Sequence, residues 1–341
     1  MKNSISRRKF VCTSAIAGAG LAFTSSSVSA SMNSNPAVGT RVGIIGLDTS
    51  HCIAYTKALN NPNAGPEFAG YKVVAAFPTA GSSDVPSSID RLAGFTEQVK
   101  AQGVEIVNSI EELLKKVDVV LLETVDGRKH LEQAIPVIKA GKRLFIDKPV
   151  AASLKDTIKI FNAAEKYKVP VFSSSSLRYM ATVQEVAQGK IGKVLGADTY
   201  SPAALEKSNP GFFWYGIHGV EILFTVMGLG CKSVVQVSTE GTDIAVGSWE
   251  DGRVGSFRGT RTGAHNYRGV VFGEKSELFL GAFTGYDTLL VKIIEFFKTG
   301  VVPVKPSETI EICAFMEAAE ESKKKGGLPV EIKSIIARAK K

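Results

Sequence analysis

The sequence predicts two domains of different class. Residues 41–150 should form an α/β domain with a doubly wound parallel sheet, and residues 151–332 an α+β domain with a largely antiparallel sheet. Three observations carry this. From residue 41 to about 150, short apolar runs alternate with helical patterns, the order that builds a parallel sheet covered by helices on both faces. Beyond about residue 175, strand patterns follow one another with no helix between them, as antiparallel neighbours do. Finally, Val42, Ile44, Ile45 and Leu47, with Gly43 and Gly46 among them, run straight into Asp48-Thr49-Ser50 and a helical stretch at 52–59. That is a buried strand turning sharply into a capped helix.

Residues 1–30 are set aside from the fold. Lys2, Arg7, Arg8 and Lys9 make a basic start, residues 11–23 a weakly apolar run, and Val28-Ser29-Ala30 a small-residue cleavage site,. Ser6-Arg7-Arg8-Lys9-Phe10-Val11 resembles a twin-arginine export signal, which implies a periplasmic or otherwise exported protein,. The apolar run is short for a membrane span, and no second hydrophobic segment follows, so no membrane association is expected after cleavage. Losing residues 1–30 removes those four cations and no acid, taking the formal charge from +8 to +4. A charge of that size gives no basis for nucleic-acid binding. Cys12 leaves with the signal, and Cys52, Cys231 and Cys313 are too few and too widely spaced for a disulfide framework or zinc site, so buried thiols are expected,.

In the first domain, strands are predicted at 41–47, 71–77, 104–107, 118–122 and 143–146. Helices are predicted at 52–59, 89–102, 110–116 and 129–140. A helix at 154–166 and a strand at 169–172 extend the alternation. The rhythm then changes: a helix at 178–188, a strand at 194–200, a Pro-, Gly- and aromatic-rich loop at 201–215, and a helix at 218–227. Strands at 233–238, 242–246, 253–259, 267–272 and 276–280 follow, joined by turns such as Glu250-Asp251-Gly252,. Helices at 287–299 and 307–324 carry apolar residues at helical spacing and should pack back onto the first domain; residues 333–341 read as a basic tail,.

The turn at 46–51 is the critical stretch. A dinucleotide-binding turn reads G-x-G-x-x-G/A: one glycine for the turn, one for backbone approach to pyrophosphate, one for helix–strand packing. Only Gly46 is kept; Asp48 and His51 take the other two places. A carboxylate about 4 Å from a phosphate charge is repelled by roughly 1 to 4 kcal/mol, so Asp48 should weaken dinucleotide binding. Asp48, Thr49 and Ser50 are equally the residue types that cap helices. Of the four histidines, at 51, 130, 218 and 265, no pair has ligand spacing on one helix, and no metal site is expected,.

The order of elements and several motifs resemble the Gfo/Idh/MocA family (glucose-fructose oxidoreductase, inositol dehydrogenase, rhizopine catabolism) over about residues 41–332. Gly141-Lys142-Arg143-Leu144-Phe145-Ile146-Asp147-Lys148-Pro149 resembles that family's G-K-x-V-x-x-E-K-P, with Asp147 for Glu, and His130 matches its histidine in the helix before. Gly216-Ile217-His218-Gly219-Val220-Glu221 resembles its G-x-H-x-x-D, with Glu221 for Asp. The resemblance implies a Rossmann-like first domain holding NAD or NADP, with Gly46, Leu47, Asp48, Thr49, Ser50, His51, Asp126 and Asp147 as candidate cofactor residues. It also implies Lys148 and His218 as a catalytic pair at a sugar or polyol hydroxyl: lysine polarises the oxygen, histidine takes its proton, and the cofactor takes the hydride. Arg178, Tyr215 and Glu221 become substrate residues, and the C-terminal sheet an interface of a homo-oligomer.

Departures are as specific. The aspartate of the family's D-x-G-x-H is Trp214, the loop at 123–128 replaces a Thr-Pro-Asn type of cofactor contact, and the second strand ends Ala76-Phe77-Pro78-Thr79 without a ribose-binding acid. Two other functions are therefore carried forward: a non-redox lyase, epimerase or hydrolase of a sugar or sugar acid using the same Lys148 and His218, and a ligand-binding protein on an inherited enzyme fold.

Overall fold

The computed structural model describes residues 39–79, 81–264 and 266–341. The export signal expected at 1–30 and His265 lie outside them.

The first sheet contains six parallel strands in the order β3-β2-β1-β4-β5-β6. They are β1 (Arg41–Ile45), β2 (Lys72–Phe77), β3 (Glu105–Ile106), β4 (Val119–Leu122), β5 (Arg143–Asp147) and β6 (Val171–Ser174). Successive side chains on a strand point to opposite faces, and two cores follow from that. Val42, Ile44, Val119, Leu121 and Phe145 enter one core; Ile45, Val120, Leu122, Leu144 and Ile146 enter the other. Helices α1 (Ser50–Asn60), α2 (Pro86–Lys100), α3 (Ile110–Lys116), α4 (His130–Lys139) and α5 (Leu154–Tyr167) connect the strands. The sheet reaches Ser174, so the first domain extends past residue 150, where the sequence placed its end.

After α6 (Ala181–Ala187) comes a seven-stranded sheet in the order β12-β11-β7-β10-β9-β8-β13. Its strands are β7 (Val194–Pro202), β8 (Cys231–Ser238), β9 (Thr242–Trp249), β10 (Val254–Thr260), β11 (Arg268–Gly273), β12 (Glu277–Leu280) and β13 (Val330–Glu331), with α7 (Ile217–Met227) between β7 and β8. All pairs are antiparallel except β7 with β10, which are parallel. The loop expected at 201–215 contains a single 3₁₀ turn, Gly211–Phe213.

Helix α8 (Asp287–Thr299) returns to the first domain as expected. Leu289, Leu290, Ile293, Ile294, Phe296 and Phe297 join the same core as β1 and β4, and Phe296 meets Phe172 edge to face, centroids 4.8 Å apart. Burying each such side chain contributes about 1.5–3 kcal/mol gross, so the last quarter of the chain completes the first domain. Helix α9 (Pro306–Lys324) behaves differently: it lies on β8 and α7 in the second domain and touches α5. The expected basic tail is a helix, α10 (Ile332–Ala339), because Ile332 and Ile335 recur at helical spacing and are buried,. Cys52, Cys231 and Cys313 are buried free thiols. Among the described residues no helix is long and apolar enough to cross a membrane.

Candidate active site

A cavity of about 750 Å³ opens where the carboxyl ends of the first sheet face the second domain. Strand order reverses between β1 and β4, the place where open α/β sheets bind ligands,. Helix α1 supplies Thr49, Ser50 and His51 to the cavity, the end of β5 supplies Lys148, and the second domain supplies Tyr215 and His218.

The turn before α1 depends on Gly46. It sits at φ +89°, and a Cβ there would lie 2.4 Å from the Thr124 backbone nitrogen, so β1 approaches the loop after β4 more closely than any side chain permits,. Thr49 is the N-cap, its Oγ1 accepting from the His51 N–H at 2.9 Å,.

Asp48 corrects an expectation. Its carboxylate is fully buried and absent from the cavity wall; it accepts from Ser88 Oγ at 2.5 Å and from the Val125 N–H at 2.9 Å. Burial raises its pKa, against the lowering effect of those two hydrogen bonds. It therefore ties the turn before α1 to α2 and to the loop after β4, with its carboxylate turned away from the cavity. Gly46 and Leu47 also lie behind the wall. Asp126 is likewise an internal strut: it accepts from Ser82 Oγ at 2.6 Å and from the Arg128 N–H at 3.0 Å, while Arg128 also grips Asp84 at 2.7 Å. These bonds hold the loop after β2 against the loop after β4, and Asp126 is not a cavity residue. Arg91 of α2, which no sequence motif singled out, does line the cavity together with Ser50.

Lys148 and His218, far apart in sequence, reach the same cavity. Lys148 Nζ lies 3.7 Å from Asp147 Oδ2. His218 Nδ1 lies 2.7 Å from Ser175 Oγ, and its Nε2 makes no hydrogen bond among the described residues. Burial, then the charges of Lys148 and His51, push the His218 pKa well below its ordinary value, so the ring is neutral,. A neutral imidazole with one nitrogen anchored can take a proton at the other. Tyr215 hydrogen-bonds Tyr267 oxygen to oxygen at 2.9 Å on the same wall.

Arg178 and Glu221 are not at this site. Arg178 Nε donates to Glu221 Oε1 at 2.9 Å, Arg178 Nη2 donates to Glu308 at 2.6 Å, and Ser174 Oγ donates to Glu221 at 2.6 Å. Both are buried and neither lines the cavity; they join β6, α7 and α9. The family resemblance assigned them to the substrate pocket; their neighbours Ser176, Leu177 and His218 do line it, but their own side chains turn away. His130 bridges the Thr124 carbonyl at 2.6 Å and the Pro149 carbonyl at 2.9 Å, linking the two loops that frame the cavity.

Asp147 is buried beneath Lys148 and lies 2.8 Å from His51 Nδ1. Glu123, at the end of β4, is fully buried 3.9 Å from the same nitrogen. Spacing along the chain gave no sign of this group, because its three members come from three different strand ends.

Fold and cavity together define a two-domain protein of the Rossmann type, with an active-site-like cleft between a nucleotide-type sheet and a second, largely antiparallel sheet. Residues 40–175 match the model of an oxidoreductase family, GFO_IDH_MocA, described as having an NAD-binding Rossmann fold. A 1,5-anhydro-D-fructose reductase of Ensifer adhaerens is 32% identical over 100 residues, 28% of this chain and 30% of that protein. The chain thus matches under a third of that curated relative's length. A probable dehydrogenase from Thermotoga maritima shares the fold over 87% of this chain and 100% of its own, with a TM-score of 0.70 and 20% identity. A scyllo-inositol dehydrogenase from Lactobacillus casei, solved with NAD(H) and scyllo-inositol, shares it over 86% of this chain and 99% of its own, with a TM-score of 0.67 and 18% identity.

Proposed function

We propose that the protein is an exported oxidoreductase that moves a hydride between a nicotinamide cofactor, NAD or NADP, and a hydroxyl-bearing carbon of a sugar or polyol. One observation carries this reading: Lys148 and a neutral His218 share a cavity with the N-terminal turn of α1. The residues present fit such a cofactor. Thr49, Ser50 and His51 present the positive end of a helix of 11 residues to the cavity, Arg91 adds a cation to its lining, and Asp48 is turned out of the way,. When bound, the nicotinamide supplies the hydride acceptor or donor.

The rest of the chemistry belongs to side chains. Lys148 donates to the substrate oxygen and stabilises negative charge on it as the C–O bond gains double-bond character. His218 Nε2 takes the hydroxyl proton, while Ser175 at Nδ1 fixes the ring,. Tyr215 and Tyr267 provide a wall of amphipathic rings suited to the mixed polar and apolar faces of a sugar,. Export rests on Arg7 and Arg8 in the N-terminal motif. Homo-oligomerisation through the second sheet is supported by Leu195, Val254, Phe272 and Phe279, all exposed there,.

A non-redox reading keeps Lys148 and His218 for proton abstraction. It is favoured by β2, which ends without a carboxylate for a ribose, and by the Ser82–Asp126 and Asp84–Arg128 bonds that strap the following loop across the sheet. A substrate deuterated at the reacting carbon separates the two. Deuterium appearing on added NAD⁺ or NADP⁺ supports the oxidoreductase; exchange into water with no label on the nucleotide overturns it in favour of an epimerase or lyase.

A further inference from the structure

We propose that His51, Glu123 and Asp147 form a binding site for one divalent transition-metal ion, of the Zn²⁺ or Mn²⁺ kind, at the floor of the cavity. The site shares His51 with the cavity wall assigned to the cofactor, but it rests on its own geometry and does not depend on the nicotinamide reading.

Its residues converge from three elements at the switch point of the sheet: the first turn of α1, the end of β4 and the end of β5. One ligand atom from each lies within 4.8 Å of the other two. His51 Nδ1 is 2.8 Å from Asp147 Oδ2 and 3.9 Å from Glu123 Oε2. Donors sharing an ion at about 2.1 Å sit about 3 to 4.2 Å apart, so small side-chain rotations close the set. One imidazole and two carboxylates are a donor set for zinc or manganese rather than for a soft thiolate-seeking metal.

Unsatisfied groups point the same way. Glu123 is fully buried, and neither of its carboxylate oxygens has a hydrogen-bond partner; Asp147 Oδ1, also buried, has none. Burying a carboxylate without a partner costs several kcal/mol, and native folds rarely leave one so. A cation bound to all three residues satisfies the orphaned oxygens at once. His51 and Lys148 line the cavity directly above, giving the ion an entry path and leaving its open positions toward a bound ligand.

The test uses the whole mature protein, stripped with a chelator and dialysed against Zn²⁺ or Mn²⁺, with bound metal counted by elemental mass spectrometry. We expect about one ion per chain. Glu123→Gln and Asp147→Asn should each weaken uptake by at least about 100-fold, more than second-shell changes do, while the exposed Glu250→Gln leaves it unchanged. Chelation should lower the Tm of the wild type. It should leave that of Glu123→Gln where it was, so that each variant's folding is read alongside its binding. Absence of stoichiometric uptake of either metal by the wild type overturns the proposal, as does full uptake by the two folded variants. If one variant fails to fold, the other and the chelator response of the wild type decide.

Discussion

The Asp48 carboxylate, in the turn before α1, lies 2.5 Å from Ser88 Oγ of α2, and the Val125 N–H shares the same carboxylate at 2.9 Å. The residue in place of a phosphate-binding glycine has thus become a clasp. Asp48→Ala leaves a buried hydroxyl and a backbone N–H without an acceptor, and we expect a loss of about 1–3 kcal/mol in urea unfolding. Ser88→Ala should cost less, and the double variant less than the sum, because both changes remove one interaction. Additive losses would show that the two residues act separately.

For the proposed catalytic pair, Lys148→Ala and His218→Ala should each lower turnover by about two to four decades, the usual scale for acid–base groups, with combined losses well short of additive. Circular dichroism and Tm should change little, since both side chains face the cavity. Near-normal turnover in both variants would mean that the shared cavity is not where the reaction occurs.

Arg178 and Glu221 predict the opposite pattern. Arg178→Ala strands two carboxylates, Glu221 and Glu308, in a buried setting, and breaking such a pair costs about 3–5 kcal/mol. Stability should fall while the KM of the folded enzyme stays constant. A raised KM with unchanged Tm would return Arg178 to the substrate site.

Acid stability should depend on Asp243. Burial raises its pKa, but hydrogen bonds from Ser238 and Arg261 and the charge of Lys323 outweigh this and hold it below the ordinary carboxyl value. A lowered folded pKa means that the contribution is complete above the unfolded value of about 3.9 and is lost as pH falls through the folded value. The Tm of the wild type should therefore drop below about pH 4 more steeply than that of Asp243→Asn. Parallel curves would remove Asp243 from the account.

Export is tested by replacing Arg7 and Arg8 with lysine. Since the paired arginines are what the export receptor reads, the variant should stay in the cytoplasm, as seen by fractionation. Unchanged periplasmic recovery would refute the assignment.

The sequence by itself determined the class of both domains and nearly every strand and helix, and its resemblance to a known family singled out Lys148 and His218, which line one cavity. The elements are written in local periodicity, as in the apolar run Val119–Leu122 that forms a buried strand, and the two residues stand in short motifs, one just after β5 of the parallel sheet and one at the start of α7 in the second domain,. Side-chain direction was decided by the tertiary structure. Asp48, Asp126, Arg178 and Glu221 stand one to three residues from cavity-lining positions, yet each turns inward to partners 40 or more residues away, or in the case of Asp126 also to its neighbour Arg128. Nor could the sequence reveal that His51, Glu123 and Asp147 meet. They are separated by whole crossover units, and only the strand order, which sets β1 beside β4 and β4 beside β5, places their side chains around one point.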